Sequence, residues 1–426
     1  MQDVYNALFP YAAEVCAVTQ YRRRGAAPGG WAGHAAMFLN GAEIDATAGH
    51  PRLRLATDAT ALTRPDSGTG VSVNRIFENA NWVAIPGREE FFHGRLQPGE
   101  TLDEAFFEAA VRRATAAGWF AGLRVTSALA AQRPAAMPLE EFIVRHSIGT
   151  DFALTFARTA YSARLPVSRE AMSKIIAYLN GANDRAREAG YTWNPYTNNC
   201  SHLIHNALAA AGIWDPKRTR GSGVLDVAKD LAGLAACVAA GRLSDFAFPA
   251  NSFVRLYEAG NERPIDDAAA AFRNRDIVRT LRDSWITTAP GALVTTYPQH
   301  RPNALFAPGR DPLLFSVPWL WDKRGTFACL TARPPARFTD LGANLEAFRE
   351  RYAAILARRG NGAEPRARRG EDLAFGAFAE QFYAYIAQEL RRTETRLGAF
   401  RRLTAASVTG GAPAASASDT PVTPPA

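Results

Sequence analysis

Three residues of this chain have the types and the setting to build an acyl-transfer site. In "YTWNPYTNNCSHLIHNALAAAG" turn chemistry runs to Asn199, after which Leu203, Ile204, Ala207, Leu208 and Ala211 recur at helical spacing. This spacing predicts a helix that Gly212 ends, with Cys200 in its first turn. Unpaired N–H groups and partial positive charge at a helix start favour the thiolate, the form in which cysteine is a nucleophile. A paired imidazole is also needed, and of seven histidines His34 is the candidate. It heads a strand and follows the Gly-rich loop "RRRGAAPGGWAG", which could open onto a cleft. "HAAMFLN", Gly41 and "AEIDAT" read as two strands joined by an Asn-Gly turn. On the return strand Glu43, Asp45 and Thr47 share one face, and Ala42, Ile44 and Ala46 the other. Asp45, preferred over Glu43, is therefore the expected orienter of the His34 ring. The backbone N–H of Cys200 is the expected oxyanion donor, worth about 3 to 4 kcal/mol in the transition state. Tyr196 and Asn199 are the side chains close enough to add a second donor, or else to cap the loop.

The remaining reactive residues have plainer readings. Cys16, Cys237 and Cys329 lie in apolar runs and read as core, and no CxxC pair suggests zinc or redox chemistry. His202 and His205 stand three apart on the Cys200 helix, but no third ligand is spaced to complete a metal site. His50 is a weak alternative base. His93, His146 and His300 read as surface or loop histidines. Trp193, Trp214, Trp319 and Trp321 read as core rather than as a substrate platform. GxSxG, P-loop and dinucleotide fingerprints are all missing, so neither serine hydrolysis nor nucleotide chemistry is supported. No cofactor and no metal is expected.

The elements that must hold these residues lie in a chain of 426 residues, too long for one compact core. Hydrophobic residues at 47% and charged residues at 21% exclude a mainly disordered or collagen-like protein. No apolar run reaches the length a bilayer requires; the longest candidate is Leu231 to Gly241. The start of the chain lacks the basic and apolar regions of a signal peptide, so a cytoplasmic location is expected as written, with export by another route left open. Of the net charge of +8, the stretch from Arg349 to Arg402 carries +5, from twelve arginines and seven acids. These arginines alternate with Leu, Phe and Tyr at helical spacing, as on a solvated helix face. Nucleic acid is not the expected partner.

Changes in hydrophobic period predict an α+β fold: a catalytic unit over residues 1–244, a helix-rich unit over 245–403 and a disordered tail over 404–426. Strands are expected at 34–40, 42–47, 71–74, 81–87 and 152–167. A helical insertion, about 95–148, carries helices near 102–117 and 138–146. A helix capped by Ser168 should run to about Ala189. Further helices are expected at 345–359 and 371–400.

"GHAAMFLNGAEID" and "WNPYTNNCSHLIHNAL", with "TFARTAYSARLPVSREAMSKIIAYL" before the second, resemble the circularly permuted papain-like cysteine enzymes of the NlpC superfamily. These include the lecithin:retinol acyltransferase-like proteins and a bacterial group. The resemblance covers about residues 12–60 and 150–215. It implies a permuted papain-like sheet packed on a Cys-bearing helix, with His34 as base, Asp45 as third polar residue and Cys200 as nucleophile. The acyltransferase-like members carry a second His at the third position and a turn one residue longer. The implied reaction is hydrolysis of a peptide, isopeptide or cell-wall amide through a thioester. A lipid acyltransferase or thioesterase with the same triad, and an inactive binding scaffold, are the rivals. Oligomeric state is not read from the sequence.

Overall fold

The computed structural model describes residues 3–18, 22–23, 34–194, 198–213, 290–300, 306–307, 336–360 and 372–409. In chain order they form α1 (Val4–Leu8), β1 (Ala12–Val18), β2 (Arg22–Arg23), β3 (His34–Asn40), β4 (Ala42–Ile44), β5 (Leu53–Leu55), α2 (Ala59–Thr63), β6 (Thr69–Ser72) and β7 (Val83–Pro86). Next come α3 (Arg88–His93), α4 (Glu104–Ala116), α5 (Ser127–Ala130), α6 (Leu139–Ser147), β8 (Ala160–Pro166), α7 (Arg169–Ala189) and α8 (Cys200–Ala210). The last are β9 (Leu293–Tyr297), β10 (Phe306–Ala307), α9 (Ala336–Thr339), α10 (Leu341–Gly360) and α11 (Asp372–Thr409). The architecture is mixed α+β. None of the described helices is long and apolar enough to cross a membrane.

An antiparallel six-stranded sheet, in the order β7-β6-β3-β1-β8-β9, divides two cores. Alternation along the strands sets the faces. Ala35, Met37 and Leu39 point with Ala13, Val15 and Ala17 toward α7 and α8, whose Ile175, Leu179, Leu203 and Ala207 close that core. Ala36 and Phe38 point with Cys16 and Val18 toward α3, α4 and α6. The expected helices of the insertion and the Ser168-capped helix are present; Ser168 Oγ accepts from the amide of Ala171.

The hairpin does not form as expected. Gly41 does turn the chain, at φ +95°, but β4 pairs with β5 in a separate two-stranded sheet. Both edges of β3 are already taken, by β1 and β6, so its return strand has nothing left to pair with. Asn40 serves the packing instead: its Nδ2 donates to Pro10 O at 2.7 Å, and its Oδ1 accepts from Ser67 at 2.9 Å.

The run expected as a strand over 152–167 is a strand only from Ala160. Ala153 and Ala157 adopt φ +53° and +58°, which no strand tolerates. The amides of Ala153, Leu154 and Thr155 donate instead to the carbonyls of Glu90, Phe91 and Phe92, at 3.1, 3.0 and 3.0 Å. These satisfy the last turn of α3, where the carbonyls of Phe91 and Phe92 have no partner within the helix and that of Glu90 also accepts from Gly94.

The division expected at residue 244 does not separate the sheet, although α10 and α11 also make a core of their own, with Phe348, Tyr352, Ile355, Tyr383 and Ile386. β9 completes the same sheet by pairing with β8. Leu341, Leu345 and Leu397, from α10 and α11, pack on Tyr5, Phe9 and Ala12. Residues 404–409, expected in a disordered tail, belong to α11, and 410–426 lie outside the described residues.

Candidate functional site

Asn199 caps α8. Its Oδ1 accepts from the amides of Ser201 and His202 at 2.9 and 3.2 Å, while His202 Nδ1 approaches the Asn199 amide at 3.4 Å, forming a reciprocal capping box. Cys200 is thereby fixed as the first residue of the helix, with its side chain against the sheet and only 6% exposed. Its sulfur accepts the amide of Ala35 at 3.4 Å. Burial pushes the thiol pKa up, against the pull of the Ala35, Ser201 and Cys200 amides.

His34, the residue before Ala35, is buried as well. Its Nε2 lies 2.8 Å from Ser72 Oγ. Ser72 Oγ is 2.8 Å from Asp151 Oδ1 and 3.1 Å from the carbonyl of Thr150, and Asp151 Oδ2 accepts from Asn74 Nδ2 at 2.7 Å. Burial raises Asp151 to about 6, against the hydrogen bonds from Asn74 and Ser72. Burial pushes His34 down to about 3, with the nearby Arg158 charge adding to the effect.

These bonds select a tautomer. When Asp151 is ionised, the single Ser72 proton goes to the carboxylate, so the Ser72 oxygen accepts and Nε2 carries the imidazole hydrogen. Nδ1, the ring nitrogen nearer the backbone, then keeps its lone pair. A neutral imidazole with its far nitrogen held and its near nitrogen basic is the state a general base requires.

The expected approach of the His34 imidazole to the Cys200 sulfur is not made: the sulfur rests on the amide of the next residue, Ala35, and the ring on Ser72. The side chains leave the strand differently. The imidazole lies on the Ala36 and Phe38 face, whereas α8 covers the Ala35, Met37 and Leu39 face. No hydrogen bond joins His34 to Cys200 among the described residues.

Asp45 is not the orienter. It stands past the end of β4, where its Oδ1 accepts from the Thr47 amide and hydroxyl at 3.1 and 2.6 Å. Glu43 pairs with Arg54 at 2.9 Å. Both were placed by a hairpin that β6 displaces. Asp151 takes the position instead, and its one sequence signal is a lone acid in the apolar run "SIGTDFALTFA".

Asn199 is a helix cap, with its carbonyl turned to the helix, and Tyr196 lies outside the described residues, as do Cys237, Cys329, Trp214, Trp319 and Trp321. Cys16 is buried in the insertion-side core, and Trp193 packs on the other core. His50 bridges Asp184 and Arg187, each at 3.0 Å. His146 Nδ1 meets the carbonyl of Phe142 at 2.9 Å. His93 and His300 are half-buried and face each other, with Nδ1 to Nε2 at 3.0 Å, which their spacing of 207 positions conceals from the sequence. Among the described residues no three potential metal ligands converge.

No family model matches the chain, and no curated protein or solved structure matches it significantly. A functional reading therefore stands on these residues.

Proposed function

We propose that this chain is a cysteine hydrolase of permuted papain-like construction, in which Cys200 attacks an amide carbonyl and His34 is the base. The observation that carries the reading is the seat of the Cys200 sulfur on the Ala35 amide, one residue from an imidazole whose Nε2 is tied through Ser72 to Asp151. His34 Nδ1 takes the thiol proton as the sulfur bonds to the carbonyl carbon, and the oxyanion develops beside the N-terminal amides of α8. Collapse expels the amine, which takes the proton back from Nδ1, and leaves an acyl-thioester on Cys200. Water activated by His34 hydrolyses it and restores the thiol. Because burial leaves thiol and imidazole uncharged at rest, proton transfer accompanies attack. Peptide, isopeptide or cell-wall amides are the proposed substrates. To face the sulfur the ring must turn about its side-chain bonds and leave Ser72, so the Ser72–Asp151 pair sets the tautomer of the resting imidazole.

Iodoacetamide alkylation of Cys200, followed by intact mass across pH in wild type, His34→Ala and Asp45→Asn, tests the reading. His34→Ala should slow alkylation below pH 8, and Asp45→Asn should not. A thiol profile untouched by His34→Ala would instead indicate an inactive binding scaffold, the reading favoured by the separate faces of the two side chains. Amide and lipid-ester panels, with Cys200→Ala as blank, would separate the amidase from an acyltransferase or thioesterase.

A further inference from the structure

Between α7 and the segment that leads into α8 lies a cavity of about 190 Å³. It is well below the ~300–1,000 Å³ of pockets that enclose a whole drug-sized ligand, so it admits one side-chain-sized group. Its polar wall is formed by Asn81, Tyr178, Arg185, Tyr191, Thr192 and Asn198, and its floor is short and aliphatic. The site abuts the nucleophile. Asn198 and Leu203, which line it, bracket Cys200 in the chain, and the Tyr191 hydroxyl donates to the carbonyl of Asn198 at 3.3 Å. Tyr191 also lies close enough to Cys200 for a thiolate to oppose its ionisation.

The lining contains one charged side chain, Arg185, and no carboxylate. The neighbouring acid on α7, Asp184, is engaged by Arg52 at 2.6 Å and His50 at 3.0 Å. Arg185 makes no ion pair with any described residue. An apolar acyl chain would strip water from these polar groups without replacing their hydrogen bonds. A carboxylate would accept from the guanidinium fork and from the amide and hydroxyl donors beside it. We propose that the cavity binds a carboxylate carried by the acyl part of the substrate, with Arg185 as its charged partner. This rests on the cysteine-hydrolase reading and narrows its substrate to acidic acyl groups.

The test separates binding from turnover. In the Cys200→Ser protein, NMR titration compares N-methylglutaramate, whose acyl part carries the carboxylate, with its neutral amide, N-methylglutaramide. The carboxylate should bind roughly tenfold or more tightly than the amide, and Arg185→Gln should abolish the difference. Equal binding of the two probes, no binding of either, or a preference that survives Arg185→Gln would overturn the proposal. Arg185 is exposed, so its replacement should leave the fold intact, as a thermal melt would verify. Carboxylate binding without Cys200-dependent turnover in wild type would support the cavity site as such but sink the hydrolase reading. Turnover indifferent to the acyl charge would keep the hydrolase and remove the carboxylate site.

Discussion

In the proposed mechanism, chemistry turns on one proton at Ser72. With Asp151 ionised, that proton faces the carboxylate and His34 keeps Nδ1 basic. With Asp151 protonated, the carboxyl can donate to Ser72, whose own hydrogen then turns to Nε2 and drives the imidazole proton onto Nδ1. Since Asp151 is raised to about 6, kcat/KM should fall as pH drops below about 6. In Asp151→Asn this acid limb should disappear and the plateau should be lower. Ser72→Ala should lower kcat/KM by roughly 10²-fold, the low end of a general-base contribution, with little change in KM. A pH profile identical in Asp151→Asn and wild type would remove the relay. Asn199→Ala should lower stability by about 1 kcal/mol through loss of the cap, which a denaturant titration measures. The places of Cys200 at a helix start and His34 at a strand head were legible because both are written locally, in turn residues and hydrophobic period. The sequence could not disclose Ser72 and Asp151, which reach His34 from 38 positions along the chain and through a further 79-position link.

Elements differ in legibility for the same reason. Helices α7 and α8 were readable to within a few residues because caps and 3.6-residue spacing are local. The pairing of β4 was not, because a strand edge taken by β6 is a property of the sheet. Even β1, the central strand, carries no alternating pattern, since both of its faces are covered; its seven residues are all buried. The contact of α3 with β9 and the residues after it is likewise invisible in sequence, and it is sensitive to pH. His93 lies on α3, Tyr297 ends β9, and His300 follows. The charged group that bears on His93 is Arg88, and Arg88 is paired with Glu14. Burial, then His300 and Arg88, push His93 down to about 4, and burial lowers His300 too. Both folded values lie below the ordinary histidine value, so this contact contributes stability above about pH 6.5 and loses it as pH falls toward 4. Protonating both rings would also set two N–H groups against each other across a 3.0 Å separation. Hydrogen exchange should show protection in residues 291–300 falling between pH 7 and 4.5, and falling less in His300→Gln. Equal loss in both proteins would assign the acid sensitivity elsewhere.

For the whole molecule, the sheet keeps two cores apart, and the insertion-side core contains an ion pair that ties four elements together. Glu14, in the middle of β1, accepts from Arg88 at 2.6 Å, Ser162 at 2.6 Å and Tyr297 at 2.8 Å, which brings in α3, β8 and β9. The Arg88 guanidinium also lies 4.6 Å from the centroid of the Phe38 ring on β3. Burial alone would raise the Glu14 pKa, but Arg88 and Arg164 outweigh it and hold the carboxyl down at about 2. A carboxylate depressed in the fold contributes stability in full above its unfolded value, near 4.5, and loses it as pH falls toward 2; a shift of this size corresponds to about 3 kcal/mol. Glu14→Gln leaves the Arg88 charge buried without its counterion, which should cost about 3–5 kcal/mol at pH 7. The same variant should flatten the acid limb, because the group that titrates there is gone. Urea unfolding of both proteins at pH 7 and pH 3 measures the two effects together. The wild type should lose much of its advantage over Glu14→Gln at the lower pH, where Glu14 takes up a proton in the unfolded chain before it does so in the fold. An advantage that persists undiminished to pH 2 would mean that packing around Phe38 and Tyr297, rather than the charge pair, holds α3 and β9 to the sheet.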